Sequence, residues 1–173
     1  LLNESLLMAY AETILHKAKT QEQEQEIKTF FLVDVRRAFE QLIDIDSMVA
    51  DSQSDEQIME QCAAELDRLV EAGDRLDTYL NDEPLINDVK HRVRSLLGHF
   101  LYQSTVFKRG FEKPHGYPGD YKMLEIVYDN VEVSGGIGKY IDRYGLNVPY
   151  STAIRLRKDT MRDMLGHFIN TST

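Results

Sequence analysis

Between Phe111 and Tyr121 the chain reads FEKPHGYPGDY, which gathers an imidazole (His115), a carboxylate (Asp120) and two phenols (Tyr117, Tyr121) into one short segment. These groups can exchange a proton, donate and accept hydrogen bonds, or cover a planar ring, which is the repertoire of a small-molecule site. Two of the chain's four prolines and two of its ten glycines fall here, so residue type largely dictates the backbone. Pro114 biases Lys113 toward extended backbone. Pro118-Gly119 suits the central positions of a type II turn, whose second residue needs positive φ. Asp120 then stands where its carboxylate can accept from the first-turn amides of a helix beginning near Tyr121. The segment is either a ligand-facing element or a rigid connector whose tyrosines pack on neighbouring helices, and residue types alone allow both.

A second set lies near the end of the chain. Arg155, Lys158 and Arg162 recur at i, i+3 and i+7 on one helical face, with Arg157 to the side. Such a set is commonly a solvated face. The functional reading is that Arg155 or Arg157 grips Asp120, or a carboxylate on a ligand, through a bidentate contact. His115 would hydrogen-bond a ligand or act as a base, or else hold the turn by bonding a backbone carbonyl. Tyr117 and Tyr121 suit an adenine ring or an acyl chain, with plain packing as the alternative.

Other chemistry has less support. The five histidines (16, 91, 99, 115 and 167) are scattered, so no metal site is expected. Cys62 is the single cysteine. It allows no internal disulfide, has no neighbour to lower its pKa, and reads as a buried thiol in a reducing, cytoplasmic setting. Val133 to Gly138, VSGGIG, has no apolar strand before it and reads as a glycine pair ending one helix and starting another.

The elements that must position these residues are helical. Apolar residues recur at three- and four-residue intervals over an opening helix and over stretches of about 24–50, 55–80 and 84–107. Gln21 to Glu26 reads as a solvated stretch between helices. Beyond the loop come shorter helices at 120–129 and 138–144, then a final helix from Pro149 to Ile169 with an inner stripe of Ile154, Met161, Leu165 and Phe168. This predicts an all-α chain: an up-and-down bundle of four long helices, then shorter helices and a C-terminal helix. At 173 residues it fits a single helical domain, 1–107 forming the bundle and 108–173 a motif-bearing cap. No apolar run approaches the ~20 residues of a membrane span. Residues 1–88 carry 21 acidic and 7 basic side chains, against 8 and 13 over 89–173. The acidic excess argues against nucleic acid, while the basic part suits an anionic ligand.

HGYPGDYKMLEIVYD, followed about thirty residues later by Ala153-Ile154-Arg155-Leu156-Arg157-Lys158, resembles a region of one group of bacterial S-adenosylmethionine-dependent methyltransferases, those that make 3-hydroxy fatty acid methyl ester signals. In that group G-Y-P-G-D-Y-x-M-M precedes an A-V-R-N-R-R-like element, both upstream of a Rossmann-like catalytic domain. Leu124 stands at the second Met position, Leu156 replaces the usual Asn and Lys158 an Arg. The resemblance covers roughly residues 108–168. It implies the N-terminal cap of a methyltransferase acting on a hydroxy fatty acid or related small acceptor. S-adenosylmethionine would belong to the full-length parent and would not bind this chain tightly. The principal partner would be a C-terminal catalytic domain following Thr173. The resemblance assigns His115, Tyr117, Gly119, Asp120, Tyr121, Arg155 and Arg157 to the cofactor side, with no catalytic residue in this chain. The competing expectation, from the long amphipathic helices, is a regulatory or dimerisation module without a ligand, for which a homodimer is compatible.

Overall fold

The computed structural model describes residues 4–117 and 119–171. Among these the chain forms eight helices and no strand: α1 (Glu4–Leu15), α2 (21–50), α3 (Asp55–Leu80), α4 (Glu83–Leu101), α5 (Thr105–Glu112), α6 (Tyr121–Asp129), α7 (Ile137–Asn147) and α8 (Pro149–Thr171). No helix among the described residues is long and apolar enough to cross a membrane. The helices divide into two compact units, Leu1–Leu101 and Tyr102–Thr173.

In the first unit α1 to α4 form the expected up-and-down bundle around Leu7, Phe31, Leu42, Ile58 and Leu97. Gln21 to Glu26 is not a linker. Thr20 Oγ1 accepts from the Gln23 amide at 3.2 Å and starts α2 there, so the polar residues form its first turns. α2 then passes through a π-helical turn, Phe30–Val35. Two adjacent phenylalanines, Phe30 and Phe31, are both buried there and meet edge to face at 5.8 Å. Neighbouring buried pairs also occur in the regular helix α4, at Leu96 and Leu97, so this pair does not by itself demand the wider turn. Left-handed Asn81 ends α3, and Asp82 Oδ1 accepts from the Leu85 amide at 3.2 Å to start α4. Cys62 is fully buried, and burial pushes its thiol up to about 12, which makes it an inert core side chain.

The fourth helix was expected to run through Phe107, but it stops at Leu101. Ser104, which periodicity places on the apolar stripe, is the cap of α5: its Oγ accepts from the Phe107 amide at 3.1 Å. The same hydroxyl donates to Asp142 Oδ1 at 2.6 Å. Apolar spacing carries across this break because both helices bury residues in the same rhythm, so periodicity cannot see it. The division between units therefore falls at 101/102, not at 107/108 as the sequence suggested.

The second unit is held by the fit of α5 against α7. Asp142 is fully buried and also accepts from the Val106 and Val133 amides, each at 3.1 Å. Gly138 lies one turn before it and Gly145 nearly one turn after. A Cβ at Gly145 would sit 3.1 Å from both Val106 Cγ1 and Phe107 Cε2, so only a glycine admits α5 at this distance without displacement. The expected inner stripe of α8 is not buried. Ile154 packs against the Val106, Val127 and Leu146 cluster, but Met161, Leu165 and Phe168 are more than half exposed. The stripe is genuine in the sequence, yet the unit supplies packing partners only to the first part of α8.

A contrast between two glycines tests this packing. A methyl group on Gly138 would lie 2.6 Å from the Gln103 carbonyl carbon, a backbone atom that cannot swing aside. Gly138→Ala should destabilise the chain by roughly 1–3 kcal/mol despite alanine's better helix propensity. Nothing lies within 4 Å of a Cβ on Gly73 in α3, so Gly73→Ala should stabilise by about 0.5–1 kcal/mol. Urea denaturation reads both, and a stabilising Gly138→Ala would contradict the close approach.

Candidate functional site

The 113–121 loop is shaped by its two ends. α5 stops at Lys113, which adopts a left-handed conformation (φ 47°, ψ 59°) instead of the extended one expected before Pro114. A left-handed residue closes the helix while Pro114 prevents its continuation. Gly116 follows at φ 84°, and its amide donates to the Lys113 carbonyl at 2.7 Å. Pro118, and with it the proposed Pro118-Gly119 turn, lies outside the described residues. Asp120 caps α6 as expected, with Oδ1 accepting from the Met123 amide at 3.0 Å.

The partner of Asp120 is a residue that sequence reasoning did not select. Arg109 Nε donates to Oδ1 and Nη2 to Oδ2, both at 2.8 Å, in a two-point contact. Asp120 is almost fully buried. The Arg109 guanidinium holds its carboxyl below the ordinary 3.8, and Asp120 raises Arg109 in return. The expected pairing with Arg155 or Arg157 does not form. Arg155 donates to the Leu146 carbonyl at 2.7 Å and to Thr152 Oγ1 at 3.2 Å, placing a cation at the C-terminal end of α7. Arg157 is exposed. Sequence order favoured the arginines of the second element, whereas Arg109 becomes Asp120's neighbour only once α5 and α6 pack.

The remaining expected residues spread around this lock. Tyr117 and Tyr121 are more than half exposed, so neither packs as a connector would require. The His115 ring lies 5.8 Å from that of Tyr121, tilted by 37°, at the surface. Gly119 borders an apolar cavity of about 420 Å³ between α5, α6, α7 and the start of α8. Its walls include Phe107, Phe111, Met123, Val127 and Ile154, with Ser151 among the few polar groups. Ser151 Oγ donates to the Gly145 carbonyl at 2.7 Å, so that hydroxyl is already committed.

The two elements singled out in the sequence therefore do meet, through apolar contacts of α6 with α8 and not through an ion pair. At Leu124, Tyr150 and Ile154 the cavity wall is shared with a groove of about 550 Å³ along α8. Lys158 stands there with Nζ 4.8 Å from the centre of the Tyr128 ring. Gly136 is the glycine that starts α7, at φ 57°, with no strand before it. Among the described residues no group of three His, Cys, Asp or Glu side chains could hold a metal ion.

Arg109, Asp142 and the cavity are what sequence reasoning missed. Asp142 had one visible signal, an acid next to Ile141 in the amphipathic stretch Ile137 to Leu146, where a buried carboxylate needs dedicated donors. Compared with protein-family models, with curated proteins and with solved structures, the chain matches none.

The Asp120–Arg109 pair makes a pH prediction with a definite sign. Asp120's carboxyl is depressed in the folded chain, so its contribution is fully present above the unfolded value near 3.8 and is lost as pH falls through the folded one. Asp120→Asn retains an oxygen for the cap but loses the paired ionic contact. It should melt lower than the parent at neutral pH, and Asp120→Ala lower still. The gap between parent and Asp120→Asn should hold from pH 7 to about 5 and close in stronger acid. A gap unchanged through pH 2 would rule out the ionised pair as its source.

Proposed function

We propose that this chain is the acceptor-binding helical domain of a class I S-adenosylmethionine-dependent methyltransferase, taking a hydroxy fatty acid or a related small acceptor. The observation that carries this reading is an apolar cavity bordered by both the GYPGDY segment and the start of α8, the two elements that bear the resemblance. Its volume lies within the range of small-molecule sites, and its methionine, phenylalanine and aliphatic walls suit an alkyl chain.

The described residues do not make a cofactor site by themselves. Both Asp120 oxygens are engaged by Arg109 and Met123, Arg155 is committed to Leu146, and no strand leads into a glycine-rich loop among the described residues. Methyl-donor binding is therefore assigned to a separate catalytic domain, and this chain is inactive alone. The chain's own contribution is to hold an acceptor away from water in a fixed pose, which is a large part of what a methyl displacement requires. Exposed His115, Tyr117 and Tyr121 remain available to the cofactor side, while Asp120 and Arg155 act as positioning residues.

A second reading, a regulatory or dimerisation module, draws on exposed Met164, Phe168 and Ile169 of α8. Sedimentation analysis separates it: a stable dimer with no ligand response would favour that reading.

Methionine methyl NMR tests the first directly. Met123 lines the cavity, whereas Met8, Met48 and Met59 lie in the other unit. Titration with 3-hydroxydecanoate should shift Met123 and leave those three unchanged, and Ile154→Trp should weaken the response by filling the cavity. S-adenosylmethionine alone should shift none of them. A silent Met123, or equal shifts at all sites, would overturn the acceptor reading.

A further inference from the structure

The groove along α8 differs from an ordinary solvated face. It carries three cations, Arg157, Lys158 and Arg162, and its lining contains no carboxylate. Arg162 is already paired with Asp159 at 3.2 Å and Asp163 at 3.3 Å. Lys158 rests over Tyr128, an interaction that leaves its charge uncancelled. Arg157 has no ion-pair partner among the described residues. The uncompensated charge is therefore concentrated at Arg157 and Lys158. Between them and the apolar cavity runs a continuous wall, Leu124, Tyr150 and Ile154.

An apolar cavity joined to a groove with two cations outside any ion pair among the described residues has the complement of one kind of molecule, an alkyl chain ending in a negative group. We propose that Arg157 and Lys158 are the anion-recognition residues of the site, holding the carboxylate or phosphate of an amphiphile whose chain runs inward past Ile154. The inference rests on the reading of the cavity as a chain-binding site and adds the orientation of the ligand. The charged end lies on the α8 side, at Arg157 and Lys158. An arginine fork and a lysine ammonium can both engage a carboxylate, and a phosphate monoester offers the same pair an additional oxygen.

The test uses the full 173-residue chain and three ten-carbon probes: decanoate, decyl phosphate and uncharged decanol. Methionine methyl NMR reads the cavity at Met123 and the groove at Met161. Decanoate or decyl phosphate should bind at least about tenfold more tightly than decanol, the scale of one charge-assisted contact. Both methyls should respond. R157Q/K158Q should erase that preference while leaving decanol binding and the helical circular dichroism unchanged. Tighter binding of the phosphate would identify a phosphorylated amphiphile as the source, and equal or tighter binding of decanoate a fatty carboxylate. If decanol binds as well as both anions, or if the double variant keeps the preference, anion recognition is overturned while the cavity reading stands. If no probe moves Met123, the cavity reading fails and this inference fails with it.

Discussion

The second unit is organised around one buried carboxylate held by neutral donors. Asp142 collects the Ser104 hydroxyl and the amides of Val106 and Val133, from two segments separated by more than twenty residues. A buried charge is tolerated only when such donors replace water, and each donor lost would leave a polar atom stranded at roughly 1–3 kcal/mol. Satisfying Asp142 fixes the start of α5, the course of the 131–134 strip and the depth of α7 together. Gly138 and Gly145 make the same demand sterically, since side chains there would push α5 and its preceding turn away from the carboxylate. The cavity exists because α5, α6, α7 and α8 are held at these distances without filling the space between them.

Asp120 has a more local task. The most chemically suggestive acid of the loop is already committed, with two contacts from Arg109 and one from Met123. With both oxygens engaged and the side chain almost fully buried, the carboxylate presents little open surface to a ligand. Its effect on function is geometric: it joins the end of α5 to the beginning of α6 and so sets the loop that carries Gly119 to the cavity rim. The exposed rings of Tyr117, Tyr121 and His115 are the part of the motif left free for other molecules.

Helices and their ends were legible where a residue type has a local reason to act. Asp120 as a cap, Pro84 in a first turn and Pro149 at the start of α8 follow from side-chain reach and fixed φ. The break at Ser104 was hidden because a serine can continue an apolar stripe or end it, and only its contact with Asp142 decides. The π-helical turn was hidden because neighbouring buried apolar residues also occur in a regular helix, as Leu96 and Leu97 do, so Phe30-Phe31 carries no local signal for it. Arg109 could not be chosen from the sequence because nothing local distinguishes it from the chain's other arginines. At the level of the site, the sequence revealed which segments meet but not the contact they use.

That contact is informative about function. Had an ion pair joined the GYPGDY segment to the 153–158 segment, each would have cancelled the other's charge and left a closed structural joint. Instead the segments touch through Leu124, Val127 and Ile154, while Asp120 and Arg155 are satisfied within their own neighbourhoods. The apolar junction leaves Arg157 outside any structural pairing among the described residues and leaves a cavity behind it. A fold needing only rigidity would gain by filling that cavity, since each missing methylene forfeits dispersion contacts. Loose apolar packing beside an uncancelled cation is more consistent with a place kept for a chain with a charged end than with scaffolding.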